Sequence, residues 1–129
     1  MRLLLDTHAL LWWLSADSQL ARRSNEAIGD DDSAVYVSAA SAWEIATKAR
    51  LGKLPGTESL AQDFEAEIKQ HGFLPLSISV EHGQRAGSLP GPHKDPFDRM
   101  LIAQAQAENL VLVSNEAVFD QYGVTRLWD

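Results

Sequence analysis

Cysteine is missing from all 129 residues, which removes disulfides, thiolate nucleophiles and zinc–thiolate sites together. No apolar run approaches the roughly 20 residues needed to span a bilayer. Leu10 to Leu14 extends the apolar start Leu3-Leu4-Leu5, but Asp6 and His8 interrupt it. Basic side chains are scarce too, with 11 Lys and Arg against 18 Asp and Glu and a net charge of −7. A chain of that sign does not hold nucleic acid by bulk electrostatics, although an acidic site neutralised by metal is compatible with nucleic-acid chemistry. The opening Met1 to Asp6 is too short and too soon charged for a secretory signal. The expectation is a cytoplasmic protein without membrane contact.

What is present is an ordinary globular composition, 45% hydrophobic and 22% charged, at a length that suits a single domain over residues 1–129 with one core. Arg2 to Asp6 reads as a buried strand, followed by a short helix over Ala9 to Leu14. Ser18 is a plausible cap for a second helix ending near Gly29. Ala34 to Ser38 is a β-rich second strand, and Ser41 a candidate cap for a helix over Ala42 to Arg50. Thr57 opens a helix on which Leu60, Phe64 and Ile68 recur at every fourth position until Gly72. Phe73 to Ile78 reads as a strand that Pro75 confines to an edge, and Ser79 starts a helix to about Gly87. After the loop Leu89 to Asp95, Pro96 suits a first helical position and Asp95 its cap, with the helix running to Glu108. Leu110 to Ser114 is a fourth strand, Glu116 to Tyr122 a short helix, and Thr125 to Trp128 a last strand. Strands alternating with helices imply right-handed crossovers and an α/β sandwich with a mainly parallel sheet covered on both faces.

In such a sheet, ligands bind at the edge where strands end and helices begin. Asp6, Glu44, Asp98 and Asn115 all fall at such junctions. Helix N-termini favour acidic groups by about 0.3–1 kcal/mol each, whereas two carboxylates about 5 Å apart repel by about 3 kcal/mol at an effective dielectric near 20. Repulsion wins, and with no basic partner evident for these carboxylates, protonation or a bound cation must relieve it. Oxygen-only ligands suit Mg²⁺, with Mn²⁺ as a substitute, and the leading chemistry is phosphodiester cleavage.

The segments Leu4-Leu5-Asp6-Thr7-His8, Ser41-Ala42-Trp43-Glu44-Ile45, Asp95 to Ala105, and Leu112-Val113-Ser114-Asn115 with Tyr122-Gly123-Val124 resemble a PIN domain, and more narrowly the VapC-type toxins of bacterial toxin–antitoxin systems. The resemblance covers essentially the whole chain, and Asp95 to Ala105 is its most specific piece. It implies a three-layer α/β/α fold, Mg²⁺-dependent endoribonuclease activity, a homodimer, and an antitoxin protein that covers the site. By match to the motif, Asp6, Glu44 and Asp98 are the expected catalytic and metal-holding residues. Asn115 stands at the fourth acidic position with Glu116 next to it, and Asp95 is a further candidate ligand.

Water activated by the metal would attack the phosphorus and leave 5′-phosphate and 3′-hydroxyl ends without using the RNA 2′-OH. Thr7 and Ser114 carry hydroxyls beside two proposed ligands, and Lys94, Arg99 and His93 are candidates for the flanking phosphates. Trp12 and Trp13 point about 100° apart on a helix, so one is expected to be exposed at a partner contact, with Trp43 and Trp128 in the core. The alternative is a catalytically weak or inactive PIN-like module that binds RNA or protein, which Asn115 favours. A haloacid-dehalogenase-type phosphatase needs a second Asp two positions after the first, where this chain has His8.

Overall fold

The computed structural model describes residues 1–129. Five strands alternate with helices: β1 Arg2–Leu5, α1 Thr7–Leu14, α2 Arg22–Gly29, β2 Ala34–Ser38, α3 Ala39–Arg50, α4 Glu58–Gln62, α5 Phe64–Gln70, β3 Leu74–Leu76, α6 Val80–Ser88, α7 Pro96–Glu108, β4 Val111–Val113, a 3-10 helix Ala117–Tyr122, and β5 Arg126–Leu127. The sheet order is β3-β2-β1-β4-β5 and every pairing is parallel. Leu4 pairs with Tyr36 on one side and Leu112 on the other, which puts β1 at the centre.

A central parallel strand is covered on both faces, and this is why Leu3-Leu4-Leu5 is a continuous apolar run rather than an alternating one. Leu3 and Leu5 face a cluster with Leu10, Ile28, Ile45, Leu60 and Ile68 from α1 to α5. Leu4 faces the opposite cluster, built from Leu101, Ile102 and Ala105 of α7 with Leu112 and Phe119. The single core expected from chain length is thus two cores, one in each gap of a three-layer α/β/α sandwich. Each of these leucines contributes about 1.5–3 kcal/mol by leaving water. No helix is long and apolar enough to cross a membrane.

Pro75 sits in β3, which pairs only with β2, so its missing N–H costs no ladder bond, as its edge placement required. Asp95 caps α7 through its carboxylate, accepting the N–H groups of Phe97 and Asp98, with Pro96 in the first turn. Several boundaries differ from expectation: α1 begins at Thr7 instead of Ala9, β3 is only Leu74–Leu76, and three further differences have a local cause. The cap of α3 is Ser38, whose hydroxyl accepts the Ala40 N–H, and Ser41 lies buried within the helix. The cap of α2 is Ala21 rather than Ser18, because Asp17 accepts the Gln19 N–H and folds residues 17–20 into a turn. The stretch from Thr57 to Gly72 is two helices, broken at Asp63 (φ −123°, ψ 43°), a residue type that favours caps and turns over helix interiors.

Trp128 packs against the core as expected, but the other tryptophans depart from their expected places. Trp12 packs on His8 and Trp128, and Trp13 on Phe73; both are half-buried against the core, so neither is the exposed ring. Trp43, expected inside, is 61% exposed and meets Phe97 edge-on at 4.9 Å between ring centroids.

Candidate functional site

The order β2-β1-β4 reverses direction at β1, and the C-terminal ends of these three parallel strands open onto one edge. Asp6 follows β1 and caps α1, accepting the Ala9 N–H at 2.8 Å on Oδ1. Glu44 arrives on the second turn of α3, which leaves β2 directly. Asp98 stands in the first turn of α7, and Ser114, Asn115 and Glu116 follow β4.

Asp6 and Glu44 are buried and Asp98 half-buried. Burial is the main force that pushes the Asp6 carboxyl from its ordinary 3.8 up to about 6; the Glu116 charge adds to the rise, and the Ser114 hydroxyl, the Ala9 N–H and His8 oppose it. Asp98 is likewise pushed up to about 6, first by burial and then by the charges of Asp95 and Glu116, against the hydrogen bond from His93. Nε2 of His93 lies 2.9 Å from Asp98 Oδ2. Glu116 therefore acts on both aspartates at once, while Asn115, named for the fourth position, is exposed beside it. The Glu116 N–H also donates to the Ser114 hydroxyl at 3.0 Å.

Glu44 is held on both oxygens. The Thr7 hydroxyl lies 2.6 Å from Oε1 and 3.0 Å from the Ser41 hydroxyl. A hydroxyl has one proton, so Thr7 donates to Glu44 and accepts from Ser41. The Lys48 ammonium sits 2.6 Å from Oε2. Its pKa is raised, first by the Glu44 hydrogen bond, with the charges of Glu44, Asp95 and Asp98 adding and burial opposing. The expectation of carboxylates without basic partners is corrected here: Glu44 has Lys48 and Asp98 has His93. The i,i+4 spacing of Glu44 and Lys48 is the sequence signal that would have shown it.

Arg99, a candidate for a flanking phosphate, is half-buried and bonded within the chain. Its guanidinium donates to the backbone carbonyls of Ala86, Leu89 and His93, fastening the proline-rich loop to α7. Lys94 is exposed. His93 is positioned to hold a site carboxylate, with its own N–H donating to the Tyr122 hydroxyl at 3.2 Å.

The oxygen donor set suits a hard divalent cation. Asp6 is buried and Asp98 half-buried, and with burial the first cause that pushes both carboxyls up to about 6, their ionised forms are costly without a counter-cation. No three acidic or imidazole groups converge on one point, since Glu44 is drawn toward Thr7 and Lys48 and Asp98 toward His93. The residues fit a metal ion in kind, with side-chain adjustment needed to gather them.

Beside the carboxylates, Trp43, Ile78, Ala86, Phe97 and Met100 line an apolar hollow of about 210 Å³. Trp43 directly precedes Glu44, and Phe97 directly precedes Asp98.

The PIN domain family model matches residues 3–124. The chain belongs to the PIN-domain family. Ribonuclease VapC16 of Mycobacterium tuberculosis is 38% identical to this PIN domain over 79 residues, which is 60% of this chain. The chain spans only 55% of that relative's length. Among solved structures, VapBC2 from Rickettsia felis bound to a promoter DNA fragment superposes with a TM-score of 0.73 at 17% identity, covering all of both chains. VapBC-1 from nontypeable Haemophilus influenzae gives 0.69 at 13% identity, covering 98% of this chain and 97% of that one. At these identities the likeness is one of fold, and it agrees with the α/β/α layering and parallel sheet described above.

Proposed function

We propose that this PIN domain is a Mg²⁺-dependent endoribonuclease acting as the toxin of a toxin–antitoxin pair. The observation that carries the reading is the gathering, on one sheet edge, of the buried Asp6 and half-buried Asp98, both carboxyls pushed up to about 6, with Glu44 and Glu116. The ribonuclease name of the VapC16 relative supports the substrate class. Asp6 and Asp98 would hold the ion, with Glu44 beside them. Asn115 and Glu116 both follow β4 at the fourth position, and of the two Glu116 brings a charge that reaches both aspartates. Mg²⁺ or Mn²⁺ supplies Lewis acidity and acidifies water at neutral pH.

The chain's own groups do the positioning. The Ser41–Thr7 hydroxyl relay fixes the orientation of Glu44, and His93 fixes Asp98 while the Arg99-bound loop fixes His93. The buried edge keeps these carboxylates poorly solvated, which strengthens their hold on a cation. Attack by water requires no RNA 2′-OH and leaves 5′-phosphate and 3′-hydroxyl ends.

An antitoxin partner is supported by the VapBC complexes among the structural neighbours. A protein covering the carboxylates would also bury Trp43 and Phe97, which flank them. A second copy of the chain is the other proposed partner.

The test is cleavage of a structured RNA pool by the purified chain in Mg²⁺, Mn²⁺ or chelator, beside Asp98→Asn. Metal-dependent cutting that the variant loses supports the reading. No cutting, or equal cutting by the variant, moves the protein to the RNA- or protein-binding alternative.

A further inference from the structure

Four i,i+4 ion pairs decorate the helices of this domain. In Arg22–Glu26, Lys69–Glu65 and Arg85–Glu81 both partners lie exposed, and such pairs are ordinary solvated ones. Lys48–Glu44 differs: the Glu44 side chain is 8% exposed and the Lys48 side chain 37%. Here a lysine reaches from the rim to a buried acid within the catalytic group.

Both oxygens of Glu44 are engaged, one of them by an ammonium, and that charge repels any further cation brought to the same carboxylate. Thr7 is buried at the first position of α1 and is itself held by Ser41. Lys48 hangs on a flexible four-carbon stem with an open path to water. The contact that gives way is the lysine's. The Lys48 charge acts on Asp95 and Asp98 as well as on Glu44, so it stands among the same carboxylates that would draw a divalent ion. Like charges repel across that distance, and the two cations compete. Lys48 is the cation on Glu44, while Arg99 donates to three carbonyls and His93 is directed at Asp98.

We propose that Lys48 is a displaceable counter-cation of the acidic site: it neutralises Glu44 while no metal is bound and is driven off Oε2 when a divalent ion takes that carboxylate. The proposal rests on the metal-dependent reading above and adds a regulatory element to it. Lys48 lets the metal-free domain fold around its own acids, and it sets how much metal is needed to load the site.

The experiment is calorimetric titration of the metal-free chain with Mn²⁺, comparing wild type, Lys48→Met, Lys48→Arg, Glu44→Gln and the Glu44→Gln/Lys48→Met double variant, with circular dichroism to verify folding. Lys48→Met is expected to bind Mn²⁺ roughly ten-fold tighter, because a competing charge is gone, and Lys48→Arg to bind much as wild type does. In the Glu44→Gln background the Lys48→Met gain disappears, since the contact it relieved no longer exists. Equal or weaker binding by Lys48→Met overturns the proposal, as does an undiminished gain in the Glu44→Gln background, which would make Lys48 a mere distant charge. If wild type binds no Mn²⁺ at all, the metal-dependent reading falls and takes this inference with it. Binding that ignores Lys48 removes the inference alone.

Discussion

Replacing Asp6 with Asn should make the metal-free protein more stable at neutral pH while abolishing metal-dependent activity. The side chain keeps its shape, and Asn caps a helix as well as Asp does, so the bond from the Ala9 N–H on Oδ1 survives. Only the charge is lost. The folded carboxyl titrates at about 6 against an ordinary 3.8, a gap worth about 3 kcal/mol at 1.36 kcal/mol per pH unit. The sign follows from the direction of the shift. A raised carboxyl binds its proton more tightly when folded, so its contribution is fully present below pH 3.8, declines as pH rises, and is gone above about 6. The Asn variant has no such decline. In chelator at pH 8 it should exceed wild type by up to about 3 kcal/mol, and at pH 4 by less than about 1 kcal/mol. Unfolding entropy for a domain of this size is about 0.27 kcal/mol per kelvin, so the pH 8 gap is roughly 10 °C in Tm. Thermal unfolding by circular dichroism at both pH values gives the answer. A gap of the same size at both, or a variant less stable than wild type at pH 8, would refute the claim that Asp6 is held ionised at a cost.

Two further predictions concern neighbours of the site. Glu116→Gln should weaken Mn²⁺ binding roughly ten-fold, by removing a carboxylate that acts on both aspartates, while Asn115→Ala leaves affinity nearly unchanged. The reverse ranking in a Mn²⁺ titration would return the fourth ligand place to Asn115. Arg99→Met should lower stability by about 2–4 kcal/mol in urea unfolding, because three backbone carbonyls lose a charged donor. A change below about 0.5 kcal/mol would show that the loop holds itself.

Much of the framework could be read directly from residue order. Leu3-Leu4-Leu5 ending at Asp6 gave the central strand and its acid, and Asp95-Pro96 gave the cap and first turn of α7, both from local chemistry that tertiary packing did not override. What escaped was direction. Residues 40, 41, 44 and 45 form the buried stripe of α3, so Trp43 falls outside it. A stripe containing Ser and Glu looks polar, and hydropathy alone assigned the tryptophan inward instead. The partners of Arg99 escape a reading of residue order for another reason: they are backbone carbonyls that no pattern of side chains reveals. Asn115 and Glu116 stand side by side and exposed after β4, so residue order alone does not rank them. Trp12 and Trp13 are both covered, one by Trp128 and one by Phe73, elements distant in sequence.

The Arg99 strap has a consequence for turnover. A loop fastened by a guanidinium to the carbonyls of Ala86, Leu89 and His93, and again by the Tyr122 hydroxyl, is a splint and not a shutter. Gly91 in the same loop has φ +100°, and any side chain there would begin 2.7 Å from the Tyr122 oxygen, so the path is set closely on that side too. The flank of Asp98 that this loop forms is therefore stiff, and on the proposed ribonuclease reading turnover there needs no gate to swing.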